Sequence, residues 1–222
     1  VSIEISFDRK YSESLASIFT SGRFAEGYII CSTEKGSYSL PYMGYIGDWS
    51  SSPILDGSVY SGDIKLFNGT SLITPVLGRY MPAGINAFAD SLVYDPSHIA
   101  FSPNGDGAGD EIYLRAEFLR NAAKGEMVIT DSGGGVVYTS SVKGKYFTKS
   151  ESADSPYELL FGWNGGNGYN RLYVLPDGVY SLTLTLTLDY LTDLTQSYSF
   201  PVFLDTEKPY VKSVSLDEDK LT

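Results

Sequence analysis

The stretch 178–188, GVYSLTLTLTL, alternates apolar and polar residues along most of its length. Successive strand side chains point to opposite faces, so Leu182, Leu184, Leu186 and Leu188 share one face. Thr183, Thr185 and Thr187 share the other. A helix would scatter those leucines around its axis, so the run reads as a strand with one buried face.

The surrounding sequence repeats this signal in shorter form. EIYLRAEFL places Ile112, Leu114, Ala116 and Phe118 on one face. GEMVITDSGGGVVYTSSV reads as a hairpin turning at Asp131–Gly135, and SYSFPVFLD supplies a partner for the long strand. About seven short strands with turn signals over roughly 110 residues point to a β-sandwich of the immunoglobulin or fibronectin type III kind. Its expected core holds Leu182, Leu184, Leu186 and Leu188 with Trp163, Val128 and Phe118. The 18 Tyr and 11 Phe suit such half-buried pleated surfaces.

The N-terminal part is also β-rich. VSIEISF sets Val1, Ile3, Ile5 and Phe7 on one face, and its pattern already runs at the first residue, as expected of a fragment of something longer. SESLASIFTSGRF fits one or two helical turns ended by Gly22. RFAEGYIICST and YSLPYMGYIGDW read as a hairpin about Gly36. Residues 50–98 read as a long irregular crossing with one or two small strands. The expected organisation is all-β with two consecutive sandwich domains, the first incomplete. Residues 1–92 form a partial first domain, 93–209 a second, and 210–222 a linker or the start of another.

Charge and composition narrow the chemistry. A net charge of −11 argues against nucleic acid, which needs clustered Lys and Arg. One cysteine, Cys31, allows no disulfide within the chain and sits in the apolar run GYIICS like a small core residue. No apolar run approaches the roughly 18 residues of a membrane helix, and no signal peptide opens the chain.

Catalytic constellations do not emerge. The one histidine, His98, lies in a proline-flanked turn. NGTSLITP carries Ser71 without the helix a subtilisin-type nucleophile needs. GGNG (165–168) and SGGGV (132–136) lack the strand-to-helix setting of a phosphate loop, and no Cys/His cluster suits zinc. Tyr42, Tyr45, Trp49 and Trp163 read as packing aromatics before they read as a sugar platform. The catalytic set is therefore empty.

SPNGDGAGD (102–110) admits two readings. Asn104, Asp106 and Asp110 offer side-chain oxygens at a calcium-like spacing. Ala108 breaks that series, and Arg115 stands where a helix–loop–helix site needs its bidentate glutamate. The same residues also build a self-bonded turn, because Asn and Asp bond the backbone two residues on and Gly allows positive φ. The turn is the first reading; calcium is the second.

SPNGDGAGDEIYLRAEFLRNA (102–122) resembles the start of the second accessory β-domain of cell-envelope subtilisin-like serine proteases. That family includes the lactocepins and the streptococcal complement-cleaving peptidases. Pro103, Gly105 and Gly107 match its opening turn, and Phe118–Ala122 match its Phe-Leu-Arg-Asn-Ala stretch. Trp163, Asn164, Gly165, Gly178 and Tyr180 are similar to the family's Trp-Asp/Asn-Gly turn and Gly-x-Tyr strand. Glu26, Gly27, Tyr28, Pro41, Tyr42, Met43, Gly44, Gly47, Asp48 and Trp49 resemble two strands of the preceding accessory domain.

The resemblance implies a non-catalytic, fibronectin type III-like accessory region of a secreted, cell-wall-associated hydrolase whose serine triad lies upstream. Its partners would be the catalytic and neighbouring domains of the same polypeptide, with a protein substrate or a host surface protein as further contacts. It implies no membrane span here, and no cofactor beyond the calcium left open above. The alternative is an independent adhesive or ligand-binding β-module.

Overall fold

A computed structural model describes residues 4–6, 8–20, 22–86, 91–142, 147–150, 158–168, 173–189 and 194–207, without the side chains of 142 and 158–161. Val1, Ile3, Phe7 and the expected linker at 210–222 lie outside the described residues. The chain divides into two compact units, Val1–Pro53 and Ile54–Thr222.

The first unit holds helix α1 (Arg9–Ile18) and the hairpin of β1 (Arg23–Thr33) and β2 (Gly36–Ile46). Asp8 caps α1, its side chain accepting from Tyr11 N–H at 3.0 Å. Glu4 to Ser6 carry no strand, so the alternation at the start of the chain does not become one there. The hairpin register is regular from Arg23↔Ile46 to Thr33↔Gly36. It is a two-stranded ribbon, and Tyr28, Ile30, Tyr38, Leu40 and Met43 are exposed on it. Cys31, expected in a core, is exposed. It pairs with Tyr38 in a sheet of only two strands, so an apolar stretch does not bring burial there.

The second unit is a two-sheet sandwich, and the described residues are all-β but for α1 and a 3₁₀ turn at Pro96–His98. One sheet has the order β5-β11-β10-β7-β8. Its strands are β5 (Ala100–Phe101), β7 (Ala122–Thr130), β8 (Val136–Val142), β10 (Gly178–Leu188) and β11 (Thr195–Leu204). The other has the order β4-β3-β6-β9, from β3 (Ser71–Val76), β4 (Arg79–Pro82), β6 (Ile112–Ala116) and β9 (Glu158–Trp163). Their inner faces meet in one core. Leu182, Leu184, Leu186 and Leu188 pack there with Ile112, Leu114, Phe118, Phe147 and Trp163.

Two details depart from the simple alternation. Val128 is half-buried, and Met127 and Ile129 take the core positions instead. The β10–β7 register pairs Met127 with Leu184 and Ile129 with Leu182, so Val128 falls beside Thr183 on the outer face. Thr187 is buried despite its place in the threonine row. The ladder shifts register between Thr187 and Leu188, and such an irregularity re-aims side chains locally.

Residues 54–92, grouped by the sequence with the first domain, belong to the second unit. Ile54, Leu55 and Leu72 are in its core, and β3 pairs with β6 from Ser71↔Arg115 to Ile73↔Tyr113. The irregular crossing thus supplies two strands of one sandwich sheet.

Candidate functional site

The residues singled out by the sequence form two clusters in the second unit and one in the first. The loop 102–110 joins β5 to β6 and is closed by its own side chains. Asp110 accepts Gly105 N–H at 2.6 Å through Oδ1 and Gly107 N–H at 2.8 Å through Oδ2. Asn104 Oδ1 accepts Asp106 N–H, and Asp106 Oδ1 accepts Ala108 N–H, each at 2.9 Å. Gly105 and Gly107 sit at φ +78° and +85°, where a side chain would be strained. Backbone bonds pin the loop to β3: Gly109 N–H donates to Pro75 O, and Val76 bridges Ala108.

These oxygens turn inward to the backbone. A cation at the loop would compete with four N–H donors for them. Among the described residues no group of three or more His, Cys, Asp or Glu is placed to hold a metal ion.

Beneath the loop lies the second cluster. Trp163 is buried, its Nε1–H donating to Gly166 O at 2.9 Å. Its ring meets Tyr180 at 5.4 Å and Phe101 at 5.2 Å. The Tyr180 hydroxyl donates to Pro176 O at 2.6 Å, fixing the turn that leads into β10 at Gly178. Pro103 touches the Gly165 backbone closely: a Cβ at Gly165 would lie 3.0 Å from Pro103 Cγ and 2.8 Å from Leu204 Cδ1. Pro103 thus meets Gly165 and Trp163 meets Tyr180, while Gly178 only opens β10 and has no close neighbour at its Cβ position.

In the first unit Trp49 meets Tyr45 at 4.7 Å and Phe24 at 5.9 Å, all edge-on. Tyr42 lies over Gly27, where a Cβ would come within 2.7 Å of its hydroxyl oxygen. Pro41 pairs with Tyr28 and Gly44 with Ala25 across the hairpin. These aromatics pack on one another and on backbone.

His98 sits in the 3₁₀ turn capped by Asp95. Its Nδ1 lies 2.9 Å from Asp95 Oδ2 and 3.3 Å from Ser97 Oγ. A Ser-His-Asp triad needs acid and nucleophile on opposite ring nitrogens. Here both meet the same nitrogen, so this is a capped turn. Hydrogen bonds from Ser97 hold the Asp95 carboxyl below its ordinary value, with His98 adding to that.

Two buried acids carry no signal in the sequence pattern. Asp56 accepts N–H bonds from Gly57, Lys65, Leu66 and Phe67, tying residues 56–67 into one loop. Burial pushes its carboxyl up, but those four donors outweigh it and the group titrates below its ordinary value. Glu117 is fully buried and takes Arg115 Nη2 at 3.1 Å; burial pushes its carboxyl up against the pull of that guanidinium. Nothing in the one-dimensional pattern distinguishes Asp56 in LDGS from an ordinary turn residue.

No protein-family model matches the chain. Among solved structures it resembles CopC from Methylosinus trichosporium OB3b at 17% identity and a TM-score of 0.29, over 50% of this chain and 88% of that one. A likeness that low bears on neither fold nor function. The chain is 28% identical over 219 residues to a PII-type proteinase and to a PI-type proteinase of Lactococcus lactis subsp. cremoris. It is 27% identical to a PII-type proteinase of Lacticaseibacillus paracasei. Each match covers 93% of this chain but only 12% of the relative, so the chain is similar to one short region of much larger proteinases.

Proposed function

We propose that the chain is a non-catalytic accessory β-sandwich region of a secreted, wall-associated, subtilisin-like serine endopeptidase, where it positions the catalytic domain and adds contacts to substrate or surface. The observation that carries this reading is the extent of the match: nearly the whole chain aligns with a small part of proteinases. The geometry supports it. The motif residues close turns and fill a core, and His98 holds Asp95 and Ser97 on one nitrogen. The parent proteinase would supply the serine triad and the bacterial-surface location.

The exposed apolar residues of the β1–β2 ribbon favour a second reading, an adhesive module acting alone. One experiment separates the two. The isolated chain is incubated with casein and with a fluorophosphonate probe, and a parent proteinase lacking this region is assayed beside the intact one. The accessory reading expects no turnover and no labelling by the chain, and a loss of activity or secretion in the deleted parent. A labelled serine in the chain, or an unaffected parent, overturns it.

A further inference from the structure

The chain contains four Asn–Gly pairs, at 68, 104, 164 and 167. Such pairs can cyclise when the glycine nitrogen attacks the asparagine side-chain carbonyl, because glycine offers no Cβ to hinder ring closure. At three of the four the glycine lies against a neighbouring side chain, with Gly69 and Gly165 buried and Gly168 exposed. A Cβ at Gly69 would meet Ile64 at 2.7 Å, at Gly165 Leu204 at 2.8 Å, and at Gly168 the Tyr138 ring at 3.1 Å. Around Gly105 nothing lies within 4 Å of that position, and the residue is exposed. No neighbouring group obstructs a ring closing at that glycine.

The groups around Asn104 also match the chemistry. Its Oδ1 accepts Asp106 N–H at 2.9 Å. The ring closed by that bond contains Gly105 N, so the side chain folds toward the peptide it must meet. The same N–H polarises the carbonyl and faces the oxygen on which negative charge develops. Asp110 Oδ1 accepts Gly105 N–H at 2.6 Å, placing a proton acceptor on the nucleophile. Nδ2, the leaving nitrogen, donates to Ser102 Oγ at 3.3 Å.

We propose that Asn104 is a site of self-promoted deamidation, with Asp110 as the proton acceptor and Asp106 N–H as the oxyanion donor. Gly105 N bonds to Asn104 Cγ as its proton passes to Asp110. The Cγ–Nδ2 bond then breaks, and the nitrogen leaves as ammonia carrying that proton. A water molecule opens the resulting succinimide at either carbonyl, giving aspartate or isoaspartate at position 104. The sum is asparagine plus water to acid plus ammonia, with no change of oxidation state. The product adds a carboxylate beside Asp106 and Asp110 and, in the iso form, a backbone atom. Either change loosens the loop between β5 and β6 in one direction only.

The test is a timed incubation of the full chain at neutral pH, native and in urea, with peptide mass spectrometry that separates aspartate from isoaspartate. The expected result is that Asn104 converts about tenfold faster in the native chain than in the unfolded one. That is below the roughly 100-fold of a well-matched general base, since a carboxylate is a weak base for an amide. Asn68, Asn164 and Asn167 convert more slowly native than unfolded and serve as internal controls. Asp110→Asn removes the native acceleration at Asn104 and leaves its rate in urea unchanged. A native rate at Asn104 at or below the unfolded rate overturns the proposal. So does an Asp110→Asn variant, folded by circular dichroism, that keeps or raises it. If that variant does not fold, the native-against-urea comparison of the unaltered chain still decides.

Discussion

At the scale of single residues, Asp56 ties a long loop together outside the apolar core. Its carboxylate gathers N–H groups from Gly57, Lys65, Leu66 and Phe67 while almost wholly buried. Asp56→Asn keeps one acceptor but turns an amide NH₂ toward donors, and a buried donor left unmet costs about 1–3 kcal/mol. The folded-state pKa lies below the unfolded value of 3.8, so the contribution is present above that value and is lost as pH falls through the folded pKa. Denaturant unfolding at stepped pH should show the Asn variant less stable at neutrality and the gap closing in acid. A gap independent of pH means that the charge is not what holds the loop. For Asn104, Asp106 and Asp110 the inward bonding sets a different expectation. The melting temperature should not change between millimolar calcium and chelator; a rise that Asp106→Ala abolishes would assign an ion to the loop. The turn itself was legible, because Asn, Asp and Gly each declare a local backbone preference. Asp56 was not, because its donors lie up to 11 residues away in a loop with no periodicity.

At the scale of elements, β10 is the clearest case of sequence dictating structure. Four leucines at period two can be buried together only on a strand, and all four are. Leu186→Ala should cost roughly 2–5 kcal/mol as a large-to-small core change. Thr185 lies across from Ser197 with hydroxyls 3.0 Å apart on the exposed face, so Thr185→Ala should cost much less. Equal costs in denaturant unfolding would mean that the faces are reversed. Alternation fixed faces well where it was strict and poorly where apolar residues ran together. In EMVIT the run Met127, Val128, Ile129 leaves the inward face undecided, and the pairing with β10 decides it. Likewise GYIICS reads as buried, yet apolar character says what would favour burial, not whether a covering layer is there. The β1–β2 hairpin was readable from its Gly36 turn; the exposure of Cys31 was not.

At the scale of the whole molecule, the sequence placed a boundary near residue 92 and the contacts divide the chain after Pro53. The difference lies in residues 54–92, whose short apolar segments look irregular alone and become strands and core only against β6. All fully buried hydrophobic side chains among the described residues lie at Ile54 or beyond. The first unit has instead a two-stranded ribbon and a helix with no buried residue, and a two-stranded hairpin is marginal in water. The two units should therefore differ in cooperativity, and the chain carries a reporter in each. Its two tryptophans are Trp49 in the first unit and Trp163 in the second. Trp49→Phe leaves the buried Trp163 as sole reporter, and its fluorescence should follow one cooperative urea transition. The difference between unaltered chain and variant isolates Trp49, which should change at lower urea and without a sharp midpoint. A shortened chain of residues 54–207 should keep the Trp163 midpoint, and limited proteolysis should cut first on the N-terminal side of Ile54. Coincident transitions for both tryptophans would show one cooperative unit, and a shortened chain that fails to fold would show that residues 1–53 complete the sandwich.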